Sequence, residues 1–98
     1  MPARKPSNSA ADGARTARRE LVLRLKRVEG QLRAVQRMID EGDDCEPIAQ
    51  QLAAARKALD KAFFELMACA IEHPEFSNGQ EDDTQRVQRL TRTLAKLA

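Results

Sequence analysis

From about Thr16 to Glu41 the apolar residues fall at Leu21, Leu25, Val28, Leu32, Val35 and Ile39, alternating steps of four and three that predict a long helix with one apolar seam. Gly42 supplies the stop, and Gly42-Asp43-Asp44 makes a short acidic turn. A second helix is predicted from near Pro47, a residue suited to the first helical position, to Glu72 or His73, where Pro74 disfavours continuation. Its seam reads Ile48, Leu52, Ala55, Leu59, Ala62, Leu66 and Cys69; extended backward it meets Cys45, and forward His73. Ala53, Ala54, Ala55 and Ala58 permit close helix approach, and Phe63 and Phe64 add bulk near the far end. A polar loop over 75–82 precedes a third helix from about Asp83 to Leu97, with Val87, Leu90, Leu94 and Leu97 on one face and Asp82 and Asp83 at its positive end. Residues 1–14 are rich in Ser, Ala, Pro and Gly without apolar periodicity, so a mobile tail is expected ahead of a single all-helical domain over 15–98.

The fold class is therefore all-α, a three-helix protomer whose first two helices form a hairpin. Such a hairpin is half of a four-helix bundle, and a second antiparallel copy completes it. Composition agrees: Ala, Leu, Arg, Gln and Glu dominate, with four Gly, four Pro and no Trp or Tyr in 98 residues. A chain this short buries a modest core alone, and association is the usual remedy. No apolar run approaches the roughly 20 residues needed to cross a bilayer, and Met1-Pro2-Ala3-Arg4-Lys5-Pro6 has no apolar signal core. The expected location is cytoplasmic, without a membrane partner.

Charge sharpens the picture. Residues 1–39 carry ten Lys or Arg against three acids, a net of +7, whereas residues 40–98 carry seven bases against twelve acids, a net of −5. The basic constellation comprises Arg15, Arg18, Arg19, Arg24, Lys26, Arg27, Arg33 and Arg37 on the first helix, with Arg56, Lys57 and Lys61 on the second. A patch of this kind suits a phosphate backbone, and a solvated basic face is the bland alternative. Three Phe offer little for stacking on single-stranded bases, so duplex DNA fits better. No helix-turn-helix or zinc-finger spacing is visible.

The two cysteines carry the candidate chemistry. In a reducing compartment they are not expected to form a structural disulfide, which leaves burial, metal ligation or redox reaction. Cys45 and Cys69 lie 24 residues apart on one predicted helix, about 36 Å at 1.5 Å per residue, whereas a disulfide needs Cα atoms within roughly 7 Å. Only a second, antiparallel chain brings them together. Cys69 and His73, at i and i+4, share one helix face and suit a common ion. Cys45 sits at a helix start, whose positive end favours a thiolate, with Asp43, Asp44 and Glu46 opposing. An enzyme is not expected: no orienting third group or oxyanion-binding loop accompanies Cys69 and His73.

The stretch Arg24-Leu25-Lys26-Arg27-Val28-Glu29-Gly30-Gln31-Leu32-Arg33, with Met38-Ile39, Cys45, Gln50-Gln51-Leu52-Ala53-Ala54 and Ala58-Leu59-Asp60-Lys61, resembles the CsoR/RcnR family of small helical bacterial repressors over about residues 16–73. The resemblance implies a disc-shaped homotetramer of two four-helix dimers. It would bind operator double-stranded DNA and release it when an inducer occupies an intersubunit site. The family's DNA-contacting bases map onto Arg24 and Lys61, and Arg18, Arg19, Lys26, Arg27, Arg33, Arg56 and Lys57 complete the expected DNA-binding set.

Copper-sensing members of that family place a His 25 residues after the first cysteine and a Cys four beyond, positions that Ala70 and Pro74 occupy here. Persulfide-sensing members keep the first and last cysteines, and formaldehyde-sensing members keep the His, so none of these patterns is complete. The favoured expectation is a thiol sensor in which Cys45 of one chain and Cys69 of its partner are joined after persulfide or oxidant attack, with no resident cofactor. The alternative is a site of Cys45, Cys69 and His73 for Cu(I) or another soft metal. A helical interaction module without DNA affinity is the third reading.

Overall fold

The computed structural model describes the backbone of residues 6–74 and 81–98, and the side chains from residue 12 onward within those ranges. The chain forms three α-helices, α1 (Pro6–Asp40), α2 (Cys45–Glu72) and α3 (Asp83–Leu97), and no strand occurs among the described residues. The helix ends follow from capping chemistry. At the end of α1, Gly42 adopts φ +75°, its amide donates to the Ile39 carbonyl (3.1 Å) and the Asp43 amide donates to that of Met38 (3.0 Å). This bond pair ends a helix through a left-handed residue, the conformation glycine adopts at least cost. One residue later the Asp44 carbonyl accepts the Ile48 amide (3.4 Å), which starts α2. The acidic turn thus closes one helix with Asp43 and opens the next with Asp44.

Two boundaries differ from expectation. The α1 helix reaches back to Pro6 rather than beginning near Thr16, and Ala14 is buried. Residues 1–5 of the expected tail lie outside the described residues. The α2 helix begins at Cys45, two residues before Pro47, because the amides of a first turn need no intrahelical acceptor and proline is tolerated throughout it. The α3 helix spans the expected residues, and its cap is a reciprocal pair: Asp82 Oδ1 accepts the Gln85 amide (2.7 Å) and Gln85 Oε1 accepts the Asp82 amide (3.3 Å). Residues 75–80 of the expected polar loop lie outside the described residues.

The chain divides into two compact units, one formed by Glu20–Phe64 and the other by Met1–Arg19 with Glu65–Ala98. In the Glu20–Phe64 unit, Leu21, Val28 and Val35 of α1 and Ala55 and Ala62 of α2 are buried, each set repeating every seven residues. The seam read from the sequence as one stripe is therefore two strips. The alternate positions Leu25, Ile39, Leu52 and Leu59 stay exposed, with Leu32 half-buried, and Leu32, Leu52 and Leu59 line an open groove of about 530 Å³ together with Ala49 and Ala53. Phe64 is also exposed. In the other unit the core is Ala14 of α1, Met67 and Ala70 of α2, and Leu90 of α3, joined by the buried Arg86. Of the apolar face expected on α3, Leu90 is buried and Leu94 half-buried, whereas Val87 and Leu97 are exposed. No described helix is long and apolar enough to cross a membrane.

Candidate functional site

Cys69 and His73 occupy the end of α2, where the His73 amide donates to the Cys69 carbonyl (2.8 Å) and closes the last turn. Both side chains are half-buried. The His73 ring lies close to α1: a Cβ added at Gly13 would stand 3.5 Å from His73 Cε1, an ordinary van der Waals contact. A thiol and an imidazole one turn apart are a soft and a borderline donor, and that pair fits a soft metal ion. Among the described residues no three His, Cys, Asp or Glu side chains gather to hold a metal.

Cys45 is exposed in the first turn of α2 and belongs to the other unit. It precedes Leu52 by seven residues and so continues the open strip of Leu52, Leu59 and Leu66, all of them exposed. Cys69 instead continues the closed strip of Ile48, Ala55 and Ala62, about 60° around the helix from Leu66. His73 returns to the open strip. The structure thus brings Cys69 and His73 together and leaves Cys45 at the opposite end of the same helix. Ala70, where the resemblance expects histidine, is buried in the core of its unit.

The expected DNA-contacting residues divide between the units. Arg18 and Arg19 are on α1 within the unit of residues 1–19 and 65–98, both on its exposed side. Lys26, Arg27 and Arg33 of α1 and Arg56, Lys57 and Lys61 of α2 are exposed in the Glu20–Phe64 unit, and Arg24 is half-buried there. Arg24 and Arg27 line a shallow groove of about 330 Å³ with Glu20 and Leu23. Arg19, Lys26 and Arg33 follow one another at seven-residue steps, forming a basic row along α1. Ahead of that row, the ion pair of Arg15 Nη2 with Asp12 Oδ1 at 3.9 Å is solvent-exposed and contributes little.

Sequence reasoning missed Arg86. It is 6% exposed, its Nη1 donates to Asp83 Oδ1 (2.7 Å) and its Nη2 donates to the Ile71 carbonyl (3.2 Å) near the end of α2. The signal was its place four residues before Leu90, together with the lack of any basic residue in the last turn of α2. Nearby, Arg89 Nε donates to both Glu81 carboxylate oxygens at 2.9 Å, and that bond holds the Glu81 carboxyl below its ordinary range and raises Arg89.

Comparison with known proteins adds the family. A family model described as metal-sensitive transcriptional repressor matches residues 17–96. A protein of Serratia marcescens, described as an uncharacterized protein in the bioA 5′ region, is 35% identical over 54 residues, 55% of this chain and 55% of that protein. The chain thus spans about half the length of this curated relative. No solved structure matches.

Proposed function

Starting from the premise that the chain belongs to the metal-sensitive transcriptional repressor family, we propose that it represses transcription by binding operator duplex DNA as a homodimer or homotetramer, and that an intersubunit site controls its release. That site is Cys45 of one copy with Cys69 and His73 of another. The observation that carries the reading is the half-buried Cys69–His73 pair in one turn, with Cys45 on an open leucine strip of the same helix. An antiparallel second copy covering that strip would set its Cys45 beside His73, with Cys69 about 60° around the helix from the covered strip.

A soft metal ion such as Cu(I) is the inducer class that agrees with the family's description, and Cys45, Cys69 and His73 would hold it. Reactive sulfur is the second reading, favoured by the exposed Cys45 thiol and by Ala70 and Pro74 at the usual ligand positions. Cys45 thiolate attacks the sulfane sulfur of an organic persulfide RSSH, giving Cys–SSH and RSH. Cys69 of the partner then attacks the Cys45 sulfur and expels hydrogen sulfide, leaving the disulfide. Two thiols lose two electrons, and the sulfane sulfur gains them. Two persulfides give instead a trisulfide, two RSH and one molecule of hydrogen sulfide.

The DNA-binding set is Arg18, Arg19, Arg24, Lys26, Arg27, Arg33, Arg56, Lys57 and Lys61. Replacing one phosphate-binding cation by alanine should lower the slope of log affinity against log salt by about 1. Coupling in the usual range of roughly 1–3 kcal/mol changes operator affinity about 5- to 150-fold. The test is duplex binding at low salt, with Cu(I) or an organic persulfide added and with Cys45→Ala, Cys69→Ala and His73→Ala in parallel. Release by Cu(I) that requires His73 establishes the metal reading. A covalent dimer that forms without His73 and needs both cysteines establishes the sulfur reading. No affinity for duplex DNA at low salt removes the repressor reading and leaves a helical interaction module.

A further inference from the structure

We propose that Arg86 is a positioning residue for the sensing turn, holding Cys69 and His73 in place by clamping the end of α2 from α3. The role rests on the reading of Cys69 and His73 as inducer-contacting groups. The last carbonyls of a helix have no intrahelical donors and fray unless something else supplies them. In α2 the Cys69 carbonyl takes the His73 amide (2.8 Å), and the Ile71 carbonyl between the two residues takes Arg86 Nη2 (3.2 Å). The last turn of α2 holds no basic residue, so Arg86 also brings the cation that complements the negative end of that helix.

The arrangement is costly as a purely structural element. The Arg86 side chain is 7% exposed, its carboxylate partner Asp83 is 86% exposed, and its Nε has no acceptor among the described residues. Replacing a buried charged group by an apolar residue of similar volume is often neutral or stabilising. What the guanidinium adds is direction, a fixed bond to one carbonyl of the turn that carries the thiol and the imidazole. Cys69 and His73 both project from this turn, so loosening it moves both donors.

The test uses full-length reduced protein and measures alkylation rates of Cys69 and Cys45 by iodoacetamide, read from peptide masses. Cys45, in the other unit, is the internal reference. Arg86→Gln should raise the Cys69-to-Cys45 rate ratio on the order of tenfold, the effect of losing one charge-assisted hydrogen bond. Arg86→Lys, which keeps the cation and one donor, should restore part of it. An unchanged ratio overturns the proposal, as do rates that rise together, because a general loosening of the fold is then sufficient. Should Arg86→Gln fail to fold, amide exchange in the unsubstituted protein decides. The His73 amide should be as protected as the Leu90 amide in the interior of α3, and exchange about tenfold faster overturns the clamp. Neither DNA nor inducer enters these assays, so their failure leaves the repressor reading standing, and failure of that reading leaves the clamp intact.

Discussion

On the proposed assembly a second copy covers the open leucine strip, and Leu52→Ala tests that assignment. Leu52 is 49% exposed and lines the groove beside Leu32 and Leu59. Complete burial of a leucine side chain is worth about 1.5–3 kcal/mol, so covering the open half of Leu52 contributes about 0.7–1.5 kcal/mol. In a two-fold pair the same patch is used by both copies, and each substitution counts twice. Leu52→Ala should therefore weaken the dimer by about 1.5–3 kcal/mol, roughly 10- to 150-fold in Kd. Leu59, seven residues on and 42% exposed, is about 10.5 Å away along the helix, far enough for its effect to add. Sedimentation across a dilution series reads the Kd, and far-ultraviolet circular dichroism checks that the helices persist. Leu97→Ala on α3, at an exposed position outside the strip, serves as the control. A Leu52→Ala protein that keeps its helices and dissociates no more readily than the Leu97→Ala control would refute the assignment of this strip to a second copy.

Three further outcomes follow from local geometry. Gly42→Ala places a Cβ on a residue with φ +75° and should cost about 1–2 kcal/mol, seen as a lower urea midpoint at unchanged slope; a midpoint within error of the parent protein contradicts it. Asp82→Ala removes the reciprocal cap of α3 and should cost about 1 kcal/mol, with amide exchange accelerating in α3 and not at Val28 or Val35; equal acceleration everywhere would mean that the cap is not local. The hydrogen bond from Arg89 depresses Glu81, so the stabilisation is present above the carboxyl's unfolded value and is lost as pH falls through its lower folded value. Arg89→Gln should move the Glu81 titration, followed by carboxyl carbon shifts, back up toward 4.5, and a titration that does not move shows that the pair is not formed in solution.

Helix number and most helix ends were legible because single residues decide them. Gly42 needs a left-handed conformation, Pro74 disfavours continuation, and Asp82 with Gln85 carries the pattern of a cap. The start of α1 was not legible, since residues 6–14 have no apolar period and Ala14 alone among the described side chains there is buried. Arg86 was hidden for a related reason: an apolar-face reading of α3 selects Val87 and Leu97, which stay exposed, and passes over the charged residue that turns inward.

The two-strip division of the seam could not be read from spacing at all, and it bears directly on the site. Leucine, valine and alanine at steps of three and four satisfy the hairpin partner and a second copy equally well; only three-dimensional packing decides which alternate set each one takes. Here the small residues Ala55 and Ala62 take the hairpin side with Val28 and Val35, leaving the larger Leu52 and Leu59 outward. That choice puts Cys45 on the outward strip and Cys69 on the inward one. A disulfide across two copies therefore asks Cys69 to turn about 60° toward the open strip, whereas His73 already lies on it. Metal coordination, which reaches further than an S–S bond and recruits His73, needs less of that rotation. On the proposed clamp, the Cys69 alkylation rate in the parent protein against that in Arg86→Gln reports how readily the turn opens, which such a rotation requires.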